Sequence, residues 1–157
     1  MKNLFFTVLL LMGLGTVAQA QQKGFRLGAH AGIPLSDASD VSSFHAGVDA
    51  SYLFDLNDNV ALGAATGYST FFSKENFDNY SYVPVAASAR VAFSWSIFYV
   101  ADLGYAVALE DNTDGGFYYQ GKVGWAFKKV DVFGFYKGIF VDDSSMDAIG
   151  VGIAYKF

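Results

Sequence analysis

The chain has 157 residues, of which 53% are hydrophobic, 18% aromatic and 16% charged, with 17 Gly, 2 Pro, no Cys and a formal charge of -5. A chain this apolar, with charge well under the usual quarter, is not disordered, and without Cys or a Gly-Pro repeat it is neither disulfide-stapled nor collagen-like. The acidic balance excludes a nucleic-acid binder, which needs a basic face.

The first element is a targeting segment. Lys2 is followed by an uncharged run from Leu4 to Ala18 centred on Leu9-Leu10-Leu11-Met12, then by Val17-Ala18-Gln19-Ala20. Positive start, apolar centre and small-x-small end together mark a secretory signal peptide over 1–20, with cleavage after Ala20 and a mature chain from Gln21. The apolar run is shorter than the roughly 20 residues a membrane helix needs. No Cys follows the cleavage site, so no lipoprotein anchor is expected. Every later apolar run is broken by charge, so no membrane helix is expected in 21–157.

From there the pattern has a period of two. Eight segments show it: 24–34, 43–54, 60–72, 81–93, 97–109, 116–127, 130–140 and 147–157. Residues two apart share one face of a strand. In the first, Phe25, Leu27 and Ile33 oppose Arg26, Gly28, His30 and Gly32. In the second, Phe44, Val48, Tyr52 and Phe54 oppose His45, Gly47, Asp49 and Ser51. The fourth sets Val83, Val85, Val91 and Phe93 against Pro84, Ser88, Arg90 and Ala92. The fifth sets Leu103, Tyr105 and Val107 against Asp102, Gly104 and Ala106, and the sixth sets Phe117, Tyr119, Val123, Trp125 and Phe127 against Gln120, Lys122, Gly124 and Ala126. In the seventh, charge puts Asp131 and Lys137 inward and carries Phe133 and Phe135 in with them, unless a bulge intervenes. In the last, Ile149, Val151, Ile153, Tyr155 and Phe157 oppose Ala148, Gly150, Gly152, Ala154 and Lys156.

The segments run to about 10–13 residues, which suits a tilted membrane strand better than the usual globular strand of about 5–6. Connections alternate: longer at 35–42, 73–80, 110–115 and 141–146, shorter at 55–59, 94–96 and 128–129. That alternation is the habit of an up-and-down membrane barrel. A soluble barrel would turn the bulky face inward, into an interior of eight strands too narrow to hold so many aromatics, and would leave a poorly solvated wall of Gly, Ala and Ser outside. The reverse arrangement puts small and charged residues in the lumen and aliphatics and aromatics against lipid. Closure follows, because an open edge in hydrocarbon leaves backbone groups unpaired. Tyr52, Phe54, Phe93, Trp95, Tyr99, Trp125, Phe127, Tyr155 and Phe157 form a belt on the short-turn side, and Phe44, Phe72 and Phe117 lie on the other. The fold class is all-β: one eight-stranded antiparallel up-and-down transmembrane barrel over 21–157.

The chain resembles the small outer-membrane β-barrel proteins of the OmpA/OmpX-like group, also labelled the porin family. The resemblance runs over the whole of 21–157 and rests on Ile153-Ala154-Tyr155-Lys156-Phe157, with Tyr82-Val83-Pro84-Val85 and Gly116-Phe117-Tyr118-Tyr119 in support. It implies outer-membrane insertion, a C-terminal assembly signal at Tyr155 and Phe157 read by the outer-membrane assembly machinery, and contact with outer-membrane lipids and lipopolysaccharide. A monomer is expected.

The alternation places a lumen charge network at Arg26, His30, His45, Asp49, Arg90, Asp102, Lys122, Asp131 and Lys137, joined by Lys156, Ser51, Ser88 and Gln120. Asp102 is expected near Lys122, and Asp49 near His30. Charges in such a lumen must be paired, so a plug of side chains and water is expected rather than an open channel. A lipid-hydrolysing site would need a Ser–His–carboxylate set. His30 and His45 both point inward, away from lipid, and no Gly-x-Ser-x-Gly is present, so no catalytic residue is assigned. Zinc lacks its usual ligands. Asp111-Asn112-Thr113-Asp114-Gly115 holds only part of a calcium loop. No metal and no cofactor are expected. The acidic loops, with Asp37, Asp40, Glu75, Asp78, Glu110, Asp142 and Asp143, are able to hold divalent ions that bridge lipopolysaccharide phosphates. The reading is a structural or surface-interaction barrel; the alternatives are a small porin and, more remotely, a lipid A-modifying enzyme.

Overall fold

The computed structural model describes residues 24–75, 78–93 and 96–157. The signal-peptide expectation over 1–20 and the belt position Trp95 lie outside the described residues. Eight strands follow one another: β1 (Gly24–Leu35), β2 (Ser42–Asp55), β3 (Val60–Ser73), β4 (Tyr80–Ala92), β5 (Ile97–Ala108), β6 (Gly116–Ala126), β7 (Val130–Val141) and β8 (Ser144–Lys156). Each pairs antiparallel with the next, and β8 pairs back onto β1, from Arg26↔Lys156 to Leu35↔Asp147. Closure leaves no free edge.

Two connections depart from the sequence reading. The 35–42 stretch contains a short helix, α1 (Asp37–Val41), entered through Ser36 in the left-handed region and tied by Ser39 N–H to Ser36 O at 3.0 Å. It packs on β8, β1 and β2 and buries Ala38 in the apolar cluster at that end. The 141–146 stretch, expected as a longer loop, is mostly strand. Val141 pairs directly with Ser144, so Asp142-Asp143 form a tight two-residue turn. Asp142 supplies the left-handed conformation, φ 52°, that such a hairpin needs. The alternation of long and short loops therefore fails at this corner, and β8 begins earlier than 147.

The seventh segment needs no bulge. β7 keeps one register against both neighbours, so Asp131, Phe133, Phe135, Lys137 and Ile139 all point inward and are buried. Among the described residues the register shifts within a ladder only between Ser42 and Phe44. Pro84 has no N–H to give, and the β3–β4 ladder is interrupted at Val83 and Pro84; Thr66 Oγ1 donates to the Pro84 carbonyl at 2.7 Å.

The outer wall is bulky and apolar. Leu27, Val48, Val85, Leu103, Val123, Trp125, Val151 and Ile153 are among its residues, and such side chains are 37% to 71% exposed. An apolar surface that encircles a molecule is far beyond the few-hundred-Å² patches of soluble monomers and matches a lipid-facing wall. The lumen is a correction to the expectation of small residues. Phe71, Tyr82, Phe98 and Tyr118 lie inside it, buried, beside the expected Phe133 and Phe135. Glycines on facing strands make the room. A Cβ on Gly152 would run into the Phe133 ring.

Candidate functional site

The lumen is stacked in three layers. Nearest the short turns, Asp131 of β7 is ringed by cations from three other strands. Arg90 Nη1 donates to Oδ2 at 2.9 Å, Arg26 Nε lies 3.5 Å from the same oxygen, and Lys156 Nζ lies 3.2 Å from Oδ1. The Arg90 guanidinium also lies over the Phe98 ring, 3.7 Å from its centre, a favourable use of its flat cation. Lys156 Nζ donates to Phe127 O at 2.6 Å.

The middle layer is held by Lys122, whose Nζ sits 3.5 Å from both Asp49 Oδ2 and Asp102 Oδ2. Lys137 donates to His30 Nε2 at 2.8 Å. An ammonium only donates, so Nε2 is the acceptor and the ring proton of His30 is on Nδ1. That nitrogen lies 3.0 Å from Asp49 Oδ2, a close contact that falls short of a straight hydrogen bond. Between these two layers is a cavity of about 30 Å³, lined by Arg26, Arg90, Lys122, Asp49, Asp102 and Asp131. One water needs about 10–15 Å³, so there is room for about two or three.

The third layer, toward α1, is aromatic. His45 stacks on His30 with ring centres 5.2 Å apart, and its Nε2 is 3.3 Å from the Tyr82 hydroxyl. Phe71 and Phe135 pack edge-on or tilted against the His45 ring. Tyr118 OH donates to Gln120 Oε1 at 2.6 Å. Phe71, His45, Tyr82 and Ile139 have no exposed surface, so this layer fills the bore.

The side chains named from alternation thus sit as follows: Arg26, Arg90 and Asp131 in the first layer with Lys156; Asp49, Asp102, Lys122, His30 and Lys137 in the second; His45 in the third. Sequence reasoning missed Ser69 and the aromatic layer. Ser69 Oγ is 3.3 Å from His30 Nε2, which with Asp49 brings together the residue types of a hydrolase triad. The set is not arranged to work as one. The Nε2 lone pair that would take the serine proton already accepts from Lys137, and Ser69 has no exposed surface for a substrate to reach.

At the far end of the strands Tyr155 and Phe157 stand on the outer wall, their rings 5.0 Å apart, and Phe157 N–H donates to Phe25 O at 3.0 Å. The loop acids Asp37, Asp40, Asp78, Asp111, Asp114, Asp142 and Asp143 are exposed at the opposite end. Among the described residues no three His, Asp or Glu side chains converge as a metal site would require.

No protein-family model matches the chain, and no curated protein matches its sequence. Solved structures do match. The attachment invasion locus protein Ail of Yersinia pestis aligns with a TM-score of 0.63 at 14% identity, over 85% of this chain and 97% of that one. A de novo designed transmembrane β-barrel aligns at 0.57 and 12% identity, over 88% and 99%. The N-terminal barrel domain of Pseudomonas aeruginosa OprF aligns at 0.52 and 14% identity, over 85% and 99%. The fold is that of the small eight-stranded outer-membrane barrels.

Proposed function

We propose that this chain is an integral outer-membrane protein, exported by a signal peptide over 1–20 cut after Ala20, whose barrel over 21–157 serves a structural or surface-interaction role rather than catalysis. The single observation that carries this is the division of the closed barrel into a bulky apolar exterior and a lumen packed with paired charge and aromatic rings. The filled bore favours a stabilising or displaying scaffold over a solute channel; the small-porin alternative requires the His45–Tyr82–Phe135 layer to part. Tyr155 and Phe157 act as the signal for the outer-membrane assembly machinery, outer-membrane lipids and lipopolysaccharide surround the wall, and the protein works as a monomer.

Function then lies with the rim around α1. The Yersinia protein has been crystallised with the heparin analogue sucrose octasulfate, a polyanion. The acidic rim of this chain would repel such a ligand, so its loops suit cationic partners or divalent ions shared with lipopolysaccharide phosphates. The test is fractionation followed by gel mobility and conductance. The expected outcome is outer-membrane recovery, an N-terminus at Gln21, faster migration unboiled than boiled, and no unitary conductance in planar bilayers. Reproducible single-channel steps would favour the porin.

A further inference from the structure

Two of the short turns carry opposite charge. The exposed β2–β3 turn holds Asp55 and Asp58, and the exposed β6–β7 turn holds Lys128 and Lys129. In a closed ring of eight strands these turns are four strands apart, so they stand on opposite sides of one rim. Among the described residues neither lysine forms an ion pair with a carboxylate, the terminal one of Phe157 included. Asp131, the nearest carboxylate along the chain, points into the lumen, where Arg26, Arg90 and Lys156 share it. The charge of Lys128 and Lys129 is thus exposed and unpaired.

The β6–β7 turn is also fixed in place. Phe127 N–H donates to Val130 O at 2.7 Å, Lys156 N–H to Lys129 O at 2.8 Å, and Lys156 Nζ to Phe127 O at 2.6 Å. Just before the lysines, Trp125 and Phe127 stand exposed on the outer wall, as do Tyr155 and Phe157 on β8. Rings of this kind lie where hydrocarbon gives way to headgroups, which puts Lys128 and Lys129 at the level of the phosphates. A lysine stem can lie along apolar surface while its ammonium stays in that polar layer. We propose that this turn is a docking site for an anionic glycerophospholipid of the leaflet facing the short turns. Its phosphate group meets Lys128 and Lys129, and its acyl chains lie against Trp125 and Phe127. A soluble phosphate would gain the exposed charges alone; a lipid gains contact with the rings as well, at a turn that needs little ordering. Asp55 and Asp58 repel the same headgroup on the opposite side, so the lipid is held on one side of the barrel rather than all round it. The inference rests on the membrane role proposed above.

The test uses the full-length mature protein refolded into phosphatidylcholine vesicles that also contain phosphatidylglycerol, one lipid or the other carrying brominated acyl chains that quench tryptophan on contact. The chain has two tryptophans, so Trp95→Phe leaves Trp125 as the reporter beside the turn. At equal mole fraction, brominated phosphatidylglycerol is expected to quench Trp125 with an apparent affinity about fivefold above that of brominated phosphatidylcholine. High salt is expected to reduce the preference. Lys128→Gln with Lys129→Gln is expected to abolish it; both side chains are exposed and outside every ion pair, so this variant is expected to fold and insert as the parent does. A second reporter, Leu62→Trp with both native tryptophans replaced by Phe, sits on the outer wall beside the acidic turn and is expected to show no preference for the anionic lipid. Equal quenching of Trp125 by the two lipids in an inserted barrel would overturn the proposal alone. So would a preference that survives the lysine variant, or one of the same size at residue 62. If neither brominated lipid quenches either reporter, the barrel is not in the bilayer, and the membrane role falls together with this inference.

Discussion

At the residue scale the lumen is held by ion pairs that water barely reaches. Surface pairs contribute about 0–1 kcal/mol, but removing one partner of a buried pair leaves the other charge stranded, at roughly 3–5 kcal/mol. Lys122 is the sharpest case, because its one ammonium serves both Asp49 and Asp102. Lys122→Met is expected to lower the stability of the refolded barrel by roughly that amount in urea titration, and adding Asp102→Asn to it is expected to restore part of the loss. A single variant as stable as the parent would mean the network is not what holds the interior. The charged members of this network were legible from alternation alone, since a period of two and the cost of a charge in hydrocarbon leave them one direction to point. Ser69 was not legible, because a serine is tolerated on either face and only the β2–β3 register brings it to His30.

At the scale of elements, what decides packing is which residues meet across strands. Asp147 sits on the outer side of β8 yet is nearly buried. Tyr119 OH, reaching from β6, donates to its Oδ1 at 2.5 Å, and Ser145 Oγ donates to Oδ2 at 3.0 Å. The reach is possible because the intervening β7 residue is Gly138, where a Cβ would collide with both the Tyr119 ring and the Asp147 carboxylate. At Gly134, two turns of the pleat along the same strand, a Cβ would make only an ordinary contact, 3.8 Å from the Gly150 carbonyl oxygen. Gly138→Ala is therefore expected to cost about 1–3 kcal/mol of refolding stability, while Gly134→Ala is expected to be neutral or better. Equal effects at the two positions would show that the tyrosine bridge plays no part. Strand existence was readable in all eight segments, and facing in six of them. The third segment, rich in Gly, Ala and Thr, showed no faces, and in the seventh the two inward Phe left a bulge open until the register was seen. The turn at Asp142-Asp143 was not, because a run of acids and serines reads as solvent loop until the left-handed Asp142 is seen to close it. The inward Phe133 and Phe135 were implied by their neighbours Asp131 and Lys137, but the space for them depends on glycines such as Gly152 across the ladder, a fact of register rather than of pattern.

For the whole molecule, one partition governs everything else: bulky side chains outside, charges and an aromatic layer within. It accounts for closure without an edge, for a bore that is filled above a small polar cavity, and for the separation of an acidic rim around α1 from a basic end near Lys128, Lys129 and Lys156. The chain has no native cysteine, so single cysteines can be placed at will. The most direct test is to spin-label Val85→Cys, Leu103→Cys and Val151→Cys one at a time, after refolding into phospholipid vesicles, and to compare collisions with oxygen and with a water-soluble nickel chelate. The account expects mobile labels at all three sites that meet oxygen readily and the chelate hardly at all. Labels that are immobilised in a packed interior, or that the chelate reaches freely, would contradict it.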